Sequence, residues 1–385
     1  MSESINYEWR DWQMLFSDEH ITTLRNYDFY KKDKLDGMND GLRTVKAWGD
    51  YKRNPPFVSV IVTTYKRPHY LKLALESIIR QNFNNYEIIV VDNECADIDA
   101  DTDTQKLIKE LANPKIVYFR NLDPMNGRMD RGASLARGEW ICFLHDDDML
   151  AANHLETMTA VVKSHSEINF LSCDYRTFRD EDLEKIKSNE FVANNRHDGR
   201  CREAGLQEGV FFNQGSWPGG LIRRRLYAEM GGMPKISTGC SDQIMCSKFI
   251  YWYSGFYRLK APLCFYRISN SQISSKIDNW FNTFISDYFF SRYALTKITG
   301  IPKFDYEQLC FAFVCELMKS TENIWGLKFD LREYARKCGI KKVEDDVNIV
   351  NQYIRQWGEY EKEIRLKYEQ RGFEIVIDKV AKFPY

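Results

Sequence analysis

The sequence lacks the patterns that mark several specialised protein classes. It contains ten cysteines, but no CxxC pair and no histidines at the spacing of a zinc site. We therefore expect reduced, mostly buried thiols rather than a disulfide framework or a zinc domain. Lysines and arginines number 54 against 55 aspartates and glutamates, so the charge balance gives no reason to expect nucleic acid as a partner.

Long apolar segments are also missing. No stretch approaches the ~20 uninterrupted apolar residues that a membrane-spanning helix requires. Residues 1–20 are polar and acidic, and they lack the basic segment and apolar run of a secretory signal. The sequence therefore predicts a cytoplasmic protein.

Two common nucleotide-binding patterns are absent as well. There is no Walker A pattern, which argues against a P-loop nucleotide hydrolase. No GxGxxG pattern follows the first predicted strand, so a dinucleotide site is not expected either.

The middle of the chain alternates between apolar strands and amphipathic helices. Continuous apolar, β-branched runs are typical of strands buried on both faces, and a helical pattern follows each of the first three. Short repeats of this kind predict an α/β fold with a doubly wound, mostly parallel sheet flanked by helices. The predicted strands are Phe57–Thr64, Tyr86–Asp92, Lys115–Phe119 and Trp140–Leu144.

Three regions are predicted along the chain. Residues 1–54 are charged and aromatic and indicate an N-terminal helical extension, which ends at the Asn-Pro-Pro boundary before the first strand. Residues 55–278 contain the α/β domain, with a charged surface insertion or loop at 179–205. Residues 279–385 form a mainly helical C-terminal region.

Three consecutive aspartates, Asp146 to Asp148, follow the last predicted strand. In a doubly wound sheet, ligands bind at the carboxyl ends of the strands, where Asp92 and Thr63 to Tyr65 also lie. Asp148 alone is explained as a helix N-cap, and solvation is the other ordinary explanation. A divalent cation such as Mg²⁺ or Mn²⁺, bridging to a diphosphate, accounts for the group better.

Three stretches together resemble the family 2 glycosyltransferases of the GT-A fold. They are VSVIVTTYKRPHYLKLALESIIRQ from Val58, YEIIVVDN from Tyr86 and NGRMDRGASLARGEWICFLHDDD from Asn126. The likeness covers about residues 57–165 and continues more weakly to about residue 270. It implies a GT-A-like fold with a C-terminal helical extension. The implied activity is a metal-dependent, inverting transfer of a sugar from a nucleotide-sugar, usually a UDP-sugar.

The resemblance implies roles for residues at the strand ends. Asp92 matches the position that binds the base, and Asp147 matches the ribose-side carboxylate. Asp148 matches the position that binds Mn²⁺ or Mg²⁺. Asp146 would contact the same ion directly or through water. The remaining positions expected to bind the nucleotide-sugar are Thr63, Tyr65, Arg67, Arg128, Arg131 and Asp146.

The catalytic base and the acceptor site are also carried over from the family. Asp242 is the expected base, because inversion needs a carboxylate that takes the proton of the acceptor hydroxyl. A simple helix N-cap is the alternative for this residue. Gly219 and Gly220 match the acceptor segment, and Trp217 is either a platform for a sugar ring or a core side chain.

The chain departs from the family pattern at three places. His145 stands where the family usually has its first acidic residue. Met129 and Asp130 replace an Arg-Asn pair, so its contact to the diphosphate or base would fall to Arg128 or Arg131. Some members have a metal-binding histidine after a Tyr-Arg pair at the end of a strand. Here no histidine follows Tyr266-Arg267.

Two other functions stay open on the sequence. A sugar-nucleotide pyrophosphorylase shares a nucleotide-binding α/β sheet, but VTTYKRPHY lacks the glycines of its first loop. A non-catalytic nucleotide-sugar or glycan-binding module is the other alternative. The expected partners of an enzyme are the donor and a saccharide or lipid-linked acceptor, in bacterial O-antigen, capsule or other surface polysaccharide synthesis.

The C-terminal region suggests a further partner. Residues 319–342 mix aromatic side chains with many lysines and arginines. A basic amphipathic surface of this kind binds anionic lipid, which would place the protein at the inner face of the cytoplasmic membrane. An ordinary helix that packs on the catalytic domain is the competing interpretation.

Overall fold

The computed structural model of the chain describes residues 28–32, 35, 43–94, 100–122, 128–184, 200–205, 216–234, 241–269, 348–370 and 372–374. Its centre is a mixed sheet of eleven strands with helices against both faces. The strands are β1 (Thr44–Trp48), β2 (Val58–Thr64), β3 (Tyr86–Asp92), β4 (Ile116–Asn121), β5 (Trp140–His145), β6 (Met149–Leu150), β7 (Phe170–Phe178), β8 (Arg200–Glu203), β9 (Ser216–Arg223), β10 (Phe256–Arg267) and β11 (Phe373–Glu374).

The helices within these ranges connect the strands. Most are short, and the first six bury apolar side chains against the sheet. They are α1 (Pro68–Ile79), α2 (Asp103–Leu111), α3 (Arg128–Leu135), α4 (His154–Ser164), α5 (Arg224–Met230), α6 (Ser241–Trp252) and α7 (Asn348–Glu369).

The parallel part of the sheet has the order β4-β3-β2-β5, and it confirms the predicted α/β alternation. These strands are apolar on both faces because helices cover both sides. The register aligns their carboxyl ends: Thr64 lies opposite Asp92, and Thr63 lies opposite His145. The polar groups that end three strands therefore meet at one edge of the sheet.

Helix α3 approaches this block unusually closely at Gly132. A Cβ added there would lie 2.3 Å from Cγ2 of Ile61 on β2, so any larger residue would push the helix off the sheet. Across the sheet, α1 begins with Pro68 in its first turn and buries Leu71 and Leu75.

The strands after β5 bring the chain back beside the sheet edge where the acidic residues lie. Strand β9 runs antiparallel between β5 and β7, and β10 pairs in parallel with β7. The two-residue strand β6 pairs antiparallel with Cys264 and Phe265 of β10. Residues 146–148 are therefore held between β5 and β6, with β10 directly alongside.

Strands β1, β8 and β11 are short and were not expected from the sequence. Strand β1 lies in the stretch predicted as a helical extension, but its β-branched Thr44 and Val45 complete the free edge of β4. Strand β8 lies in the predicted surface insertion, and β11 pairs with it at the far edge. Most of residues 1–54 lies outside the described ranges, as does most of the predicted helical region at 279–385.

Helix α7 lies within the C-terminal region that was predicted to be mainly helical. Arg202 of β8 forms an ion pair with Glu369, and Arg200 donates to the carbonyl oxygen of Glu369 (3.2 Å). The end of α7 is therefore fastened to the sheet. Within the described ranges, no helix has the length and apolar character needed to cross a membrane.

The fold also buries an uncharged histidine. His154 begins α4, is fully buried, and donates through Nδ1 to the carbonyl oxygen of Leu263 (3.1 Å). Burial lowers the pKa of His154 to about 4, because the imidazolium form would lose its hydration. Unfolding restores an ordinary pKa near ~6.5.

Acid should therefore weaken the fold through this residue. The stability that neutral His154 contributes is complete above the unfolded pKa and is lost as the pH falls toward 4. From about pH 7 to about pH 4.5, the wild type should lose roughly 2–3 kcal/mol more unfolding free energy than His154→Gln. Urea titrations at both pH values measure this difference. The exposed His69, changed to Gln, should behave like wild type.

Candidate active site

The acidic loop between β5 and β6 is buried rather than solvated. The side chains of Asp146 and Asp147 are almost inaccessible, and Asp148 is 0 % exposed. The backbone N–H of Asp148 donates to the carbonyl oxygen of His145 (3.2 Å), which closes the turn. Adjacent carboxylates without water need cations or hydrogen-bond donors close by.

Arg67 supplies one of these cations. Its guanidinium lies 3.1 Å from Oδ2 of Asp147 and 3.5 Å from Oδ1 of Asp146, and its side chain is about one third exposed. The hydroxyl of Thr64 donates to Oδ2 of Asp146 (2.8 Å). Asp146 is thus held by Thr64 at the end of β2 and by Arg67 in the loop that follows. Asp147 faces the partly open side, where Arg67 lies.

Asp148 is bound from the opposite side. Its Oδ1 accepts the backbone N–H of Arg267 (2.9 Å), and its Oδ2 lies 3.3 Å from Nδ1 of His145. Oδ2 is buried and has no well-formed hydrogen bond within the described ranges. Burial and the charge of Asp147 raise the pKa of Asp148, against the opposing effect of His145.

These groups form a candidate cation site. His145, Asp147 and Asp148 each offer one ligand atom, and those atoms all lie within 4.8 Å of one another. Oδ2 of Asp148 faces this group, and carboxylate oxygens are ligands that Mg²⁺ and Mn²⁺ take in proteins. The donor set of two carboxylates and one imidazole suits Mn²⁺, and the carboxylates also suit Mg²⁺.

These three residues differ from the two metal ligands expected from the sequence, Asp146 and Asp148. Asp148 belongs to it, but Asp146 instead contacts Thr64 and Arg67. His145, which departs from the family pattern, takes the third place. Burial lowers the pKa of His145, but Asp148, Asp147 and Asp242 outweigh burial and raise it to about 9. His145 must therefore lose its proton before it can act as a ligand.

Asp242 lies in the first turn of α6, within electrostatic reach of His145. The structure thereby brings the predicted base to the same edge as the acidic loop. Burial raises the pKa of Asp242, and the charge of His145 opposes that shift. A carboxylate with a raised pKa is a better proton acceptor, as a general base requires.

Asp92 ends β3 and is almost completely buried. Its Oδ2 accepts the hydroxyl of Tyr118 (2.7 Å), and its Oδ1 accepts the backbone N–H of Glu94 (3.0 Å). Each carboxylate oxygen retains a further lone pair beyond these two contacts. Next to it, Asn93 accepts from the amide of Asn121 (2.7 Å), which extends the polar edge toward β4.

Helix α3 borders this end of the site. Arg131 donates through Nε to the hydroxyl of Thr44 on β1 (2.9 Å), which places Arg131 nearer the Asp92 end than the acidic loop. Arg128 begins α3, and its side chain lies outside the described atoms. Asp130 accepts from the hydroxyl of Tyr227 (2.5 Å) and from the N–H of Met233 (2.9 Å), so this departure from the family pattern joins α3 to α5.

The loop after β2 presents the other predicted nucleotide contacts. Tyr65 is 48 % exposed, and Thr63 is half-buried beside His145. Lys66 has a positive φ of 53°, a strained conformation for a non-glycine residue, which turns the chain between Tyr65 and Arg67. Strain of this kind persists where surrounding contacts, here between Arg67 and the carboxylates, hold it.

The predicted acceptor segment lies on β9. Because β9 is antiparallel to β5 and pairs Leu221 with Cys142, Trp217 lies toward the carboxyl end of β5. Its side chain lies outside the described atoms. Gly219 has a φ of +85°, and a Cβ there would lie 3.0 Å from Cε1 of His154. Core packing therefore accounts for Gly219, and the acceptor roles of Gly219 and Gly220 stay predictions.

Residues 59–229 match the family model described as glycosyl transferase family 2. This stretch contains the parallel block, the acidic loop and β9. Residues 59–229 form a family 2 glycosyltransferase domain. The fold predicted from the resemblance is confirmed, and Asp242 and Arg267 lie beyond the matched residues.

Known relatives of this glycosyltransferase domain act on saccharides. The chain is 39 % identical over 108 residues to the GalNAc(5)-diNAcBac-PP-undecaprenol beta-1,3-glucosyltransferase of Campylobacter jejuni, covering 27 % of this chain and 33 % of that protein. It is 25 % identical over 146 residues to the UDP-Glc:alpha-D-GlcNAc-diphosphoundecaprenol beta-1,3-glucosyltransferase WfgD of Escherichia coli, covering 36 % and 55 %. The chain thus spans about one third to one half of the length of these relatives.

Among solved structures, residues 1–349 of TarS from S. aureus in complex with UDP-GlcNAc are similar in outline. The TM-score is 0.49 at 16 % identity, and the superposition covers 84 % of this chain and 95 % of the TarS fragment.

Three contributors to the site were not singled out from the sequence as site residues. His145 was noted only as a departure, and Arg267 only for the histidine missing after it. Tyr118 reads as an ordinary strand residue, although its hydroxyl donates to Asp92. A tyrosine in the middle of a buried strand, whose hydroxyl needs a hydrogen-bond partner, was the available signal for Tyr118.

Proposed function

We propose that the chain is an inverting glycosyltransferase that moves a sugar from a nucleotide-sugar to a saccharide acceptor. One observation carries this proposal: the candidate cation site, the buried carboxylate of Asp92 and the carboxylate of Asp242, whose pKa is raised, meet at one sheet edge. Transfer from a nucleotide-sugar needs these three groups, whereas simple binding of a sugar nucleotide does not need the third.

The donor is proposed to be a UDP-sugar. Asp92 would bind the base, and Tyr65 and Thr63 would line the nucleoside site from the neighbouring loop. Asp147 belongs to the cation site and also contacts Arg67 in the loop after β2, which fits a ribose contact or a shared ligand role. WfgD is named for UDP-glucose, so UDP-glucose is the first donor to test.

The diphosphate is proposed to bind beside the acidic loop. His145, Asp147 and Asp148 would hold Mn²⁺ or Mg²⁺, which acts as a Lewis acid on the departing diphosphate. Arg67 is placed to leave the carboxylates and contact phosphate oxygens, because its side chain is partly exposed. Arg128 and Arg131 are the other proposed phosphate or base contacts.

The transfer step is assigned to Asp242. Its carboxylate takes the proton of an acceptor hydroxyl while the hydroxyl oxygen attacks the anomeric carbon from the face opposite the diphosphate. The new glycosidic bond forms as the bond from the anomeric carbon to the phosphate oxygen breaks. The nucleoside diphosphate leaves, and the configuration at the anomeric carbon inverts.

The acceptor is proposed to be a lipid-linked saccharide, because the names of both glucosyltransferase relatives contain an undecaprenol-linked substrate. Such an acceptor would bring the chain to the inner face of the cytoplasmic membrane in surface polysaccharide synthesis. Trp217, Gly219 and Gly220 are the proposed acceptor contacts, and membrane contact is assigned to the C-terminal region.

Donor binding tests this proposal most directly. With Mn²⁺ or Mg²⁺, one UDP-sugar should raise the melting temperature of the wild type. Asp92→Asn should weaken UDP affinity by roughly 1–3 kcal/mol, or about tenfold to a hundredfold, because the nucleobase loses a charged partner. The measurement is a titration of UDP against both proteins by calorimetry.

Two outcomes would contradict the proposal. An equal dissociation constant for UDP in both proteins would remove Asp92 from the base site. Donor binding without transfer to any saccharide, and without slow hydrolysis of the donor, would favour a binding module over an enzyme.

A further inference from the structure

Arg267 is a fully buried arginine at the end of β10, beside the acidic loop. The planes of two aromatic rings flank its guanidinium, which lies 4.7 Å from the ring centre of Tyr70 and 4.5 Å from that of Phe178. Taking a guanidinium out of water is costly, so its hydrogen-bond acceptors show what holds it there.

Arg267 has two hydrogen-bond acceptors in consecutive residues of the acidic loop, one for its guanidinium and one for its backbone N–H. Nε of Arg267 donates to the carbonyl oxygen of Asp147 (2.8 Å). The backbone N–H of Arg267 donates to Oδ1 of Asp148 (2.9 Å). One residue thus fixes the backbone of Asp147 and turns the carboxylate of Asp148, so that its other oxygen points toward His145.

A third contact holds the guanidinium from the outside. Arg267 forms an ion pair through a terminal nitrogen with Asp180, which begins the short 3₁₀ turn Asp180–Asp182 after β7. The side chain of Asp180 is 57 % exposed. This carboxylate therefore orients Arg267 without itself being part of the buried loop.

Arg267 and Arg67 differ in what they can do. Arg67 contacts the carboxylates directly and is partly exposed, so a bound ligand can displace it. Arg267 contacts the loop through a carbonyl oxygen and is enclosed by rings, so it stays in place when the carboxylates change partners. The carboxylate oxygens that face His145 remain available to a cation.

From this geometry we propose that Arg267 is a positioning residue that pre-forms the cation site by holding Asp147 and Asp148 in a ligating arrangement. The inference rests on the proposed function insofar as the cation at this loop serves the donor. Groups that orient metal ligands from behind typically change metal affinity about 10–100-fold when they are removed.

Binding of Mn²⁺ to the full chain without donor provides the test, measured by electron paramagnetic resonance. Arg267→Met removes the guanidinium, and Arg267→Lys keeps the charge but loses the Nε contact to Asp147. Both should bind Mn²⁺ about 10–100-fold more weakly than wild type. The matched control is Arg258→Met, on the same strand as Arg267, which breaks an ion pair with Asp174 of β7 and should bind Mn²⁺ like wild type.

The exposed Asp180 keeps the test decisive if the buried arginine variants do not fold. Asp180→Asn removes only the outer partner and should weaken Mn²⁺ binding about threefold. At saturating Mn²⁺, kcat should recover while the Mn²⁺ concentration for half-maximal transfer stays raised. A purely structural role would lower the melting temperature and leave the Mn²⁺ affinity of the folded protein unchanged.

Three results would overturn the inference: Mn²⁺ affinity like wild type in folded Arg267→Met, in Arg267→Lys, or in Asp180→Asn. Asp148→Asn separates this failure from failure of the proposed function. If that variant binds Mn²⁺ as well as wild type does, the loop is not the cation site at all.

Discussion

Asp242→Asn should lower the rate of sugar transfer by roughly 10²–10⁴ at saturating donor while donor affinity changes little. The amide keeps the shape of the carboxylate but does not accept a proton at neutral pH. Because burial raises the pKa of Asp242, the wild-type rate should also rise with pH as this carboxyl ionises. Single-turnover transfer rates, donor titrations and melting temperatures measure the three effects.

A helix cap would behave differently at this position. Asn caps a helix about as well as Asp, so stability and turnover would both stay near wild type. The control is Asp103→Asn, an exposed aspartate in the first turn of α2, far along the chain from the acidic loop. Near-normal turnover in Asp242→Asn would assign the base to another residue.

Asp148→Asn should remove the cation-dependent part of catalysis. The amide oxygen can still accept the N–H of Arg267, so the turn after β5 keeps its shape. The variant loses a negative charge that a divalent cation needs, and transfer should fall by about 10²–10³-fold. The melting temperature should stay close to wild type, because the lost pairing with His145 is offset by reduced repulsion from Asp147.

Mn²⁺ titration of the protein alone, together with transfer at several Mn²⁺ concentrations, measures this effect. Asp174→Asn is the matched control, since it removes a carboxylate of β7 that is paired with Arg258. Wild-type Mn²⁺ affinity in Asp148→Asn would contradict a cation site at this loop.

The parallel part of the sheet was predictable because each of its strands is marked by an apolar run within its own short stretch of sequence. Strand β3 was predicted at its observed bounds, and β2, β4 and β5 were placed within one or two residues of theirs. Uninterrupted apolar runs mark strands that are buried on both faces, and loops of similar length separate them. The convergence of Asp92 and the acidic loop follows directly from this parallel order.

The contacts that shape the site were not predictable, because distant parts of the chain make them. Asp148 and Arg267 are 119 residues apart, and Asp130 and Tyr227 are 97 apart. The short strands β1 and β8 have no strong pattern of their own and exist because free strand edges are available. Pairing of this kind depends on the assembled sheet, which single-sequence periodicity does not describe.

The pairing of β6 with β10 affects the order in which the site forms during synthesis of the chain. During synthesis, the parallel block can begin to form once β5 has emerged, since all its strands precede residue 146. The acidic loop stays without its partners Arg267 and Cys264 until more than a hundred further residues have been added. A nascent chain at that stage therefore holds adjacent carboxylates that water must solvate, and ligand affinity should arise late, as β10 docks.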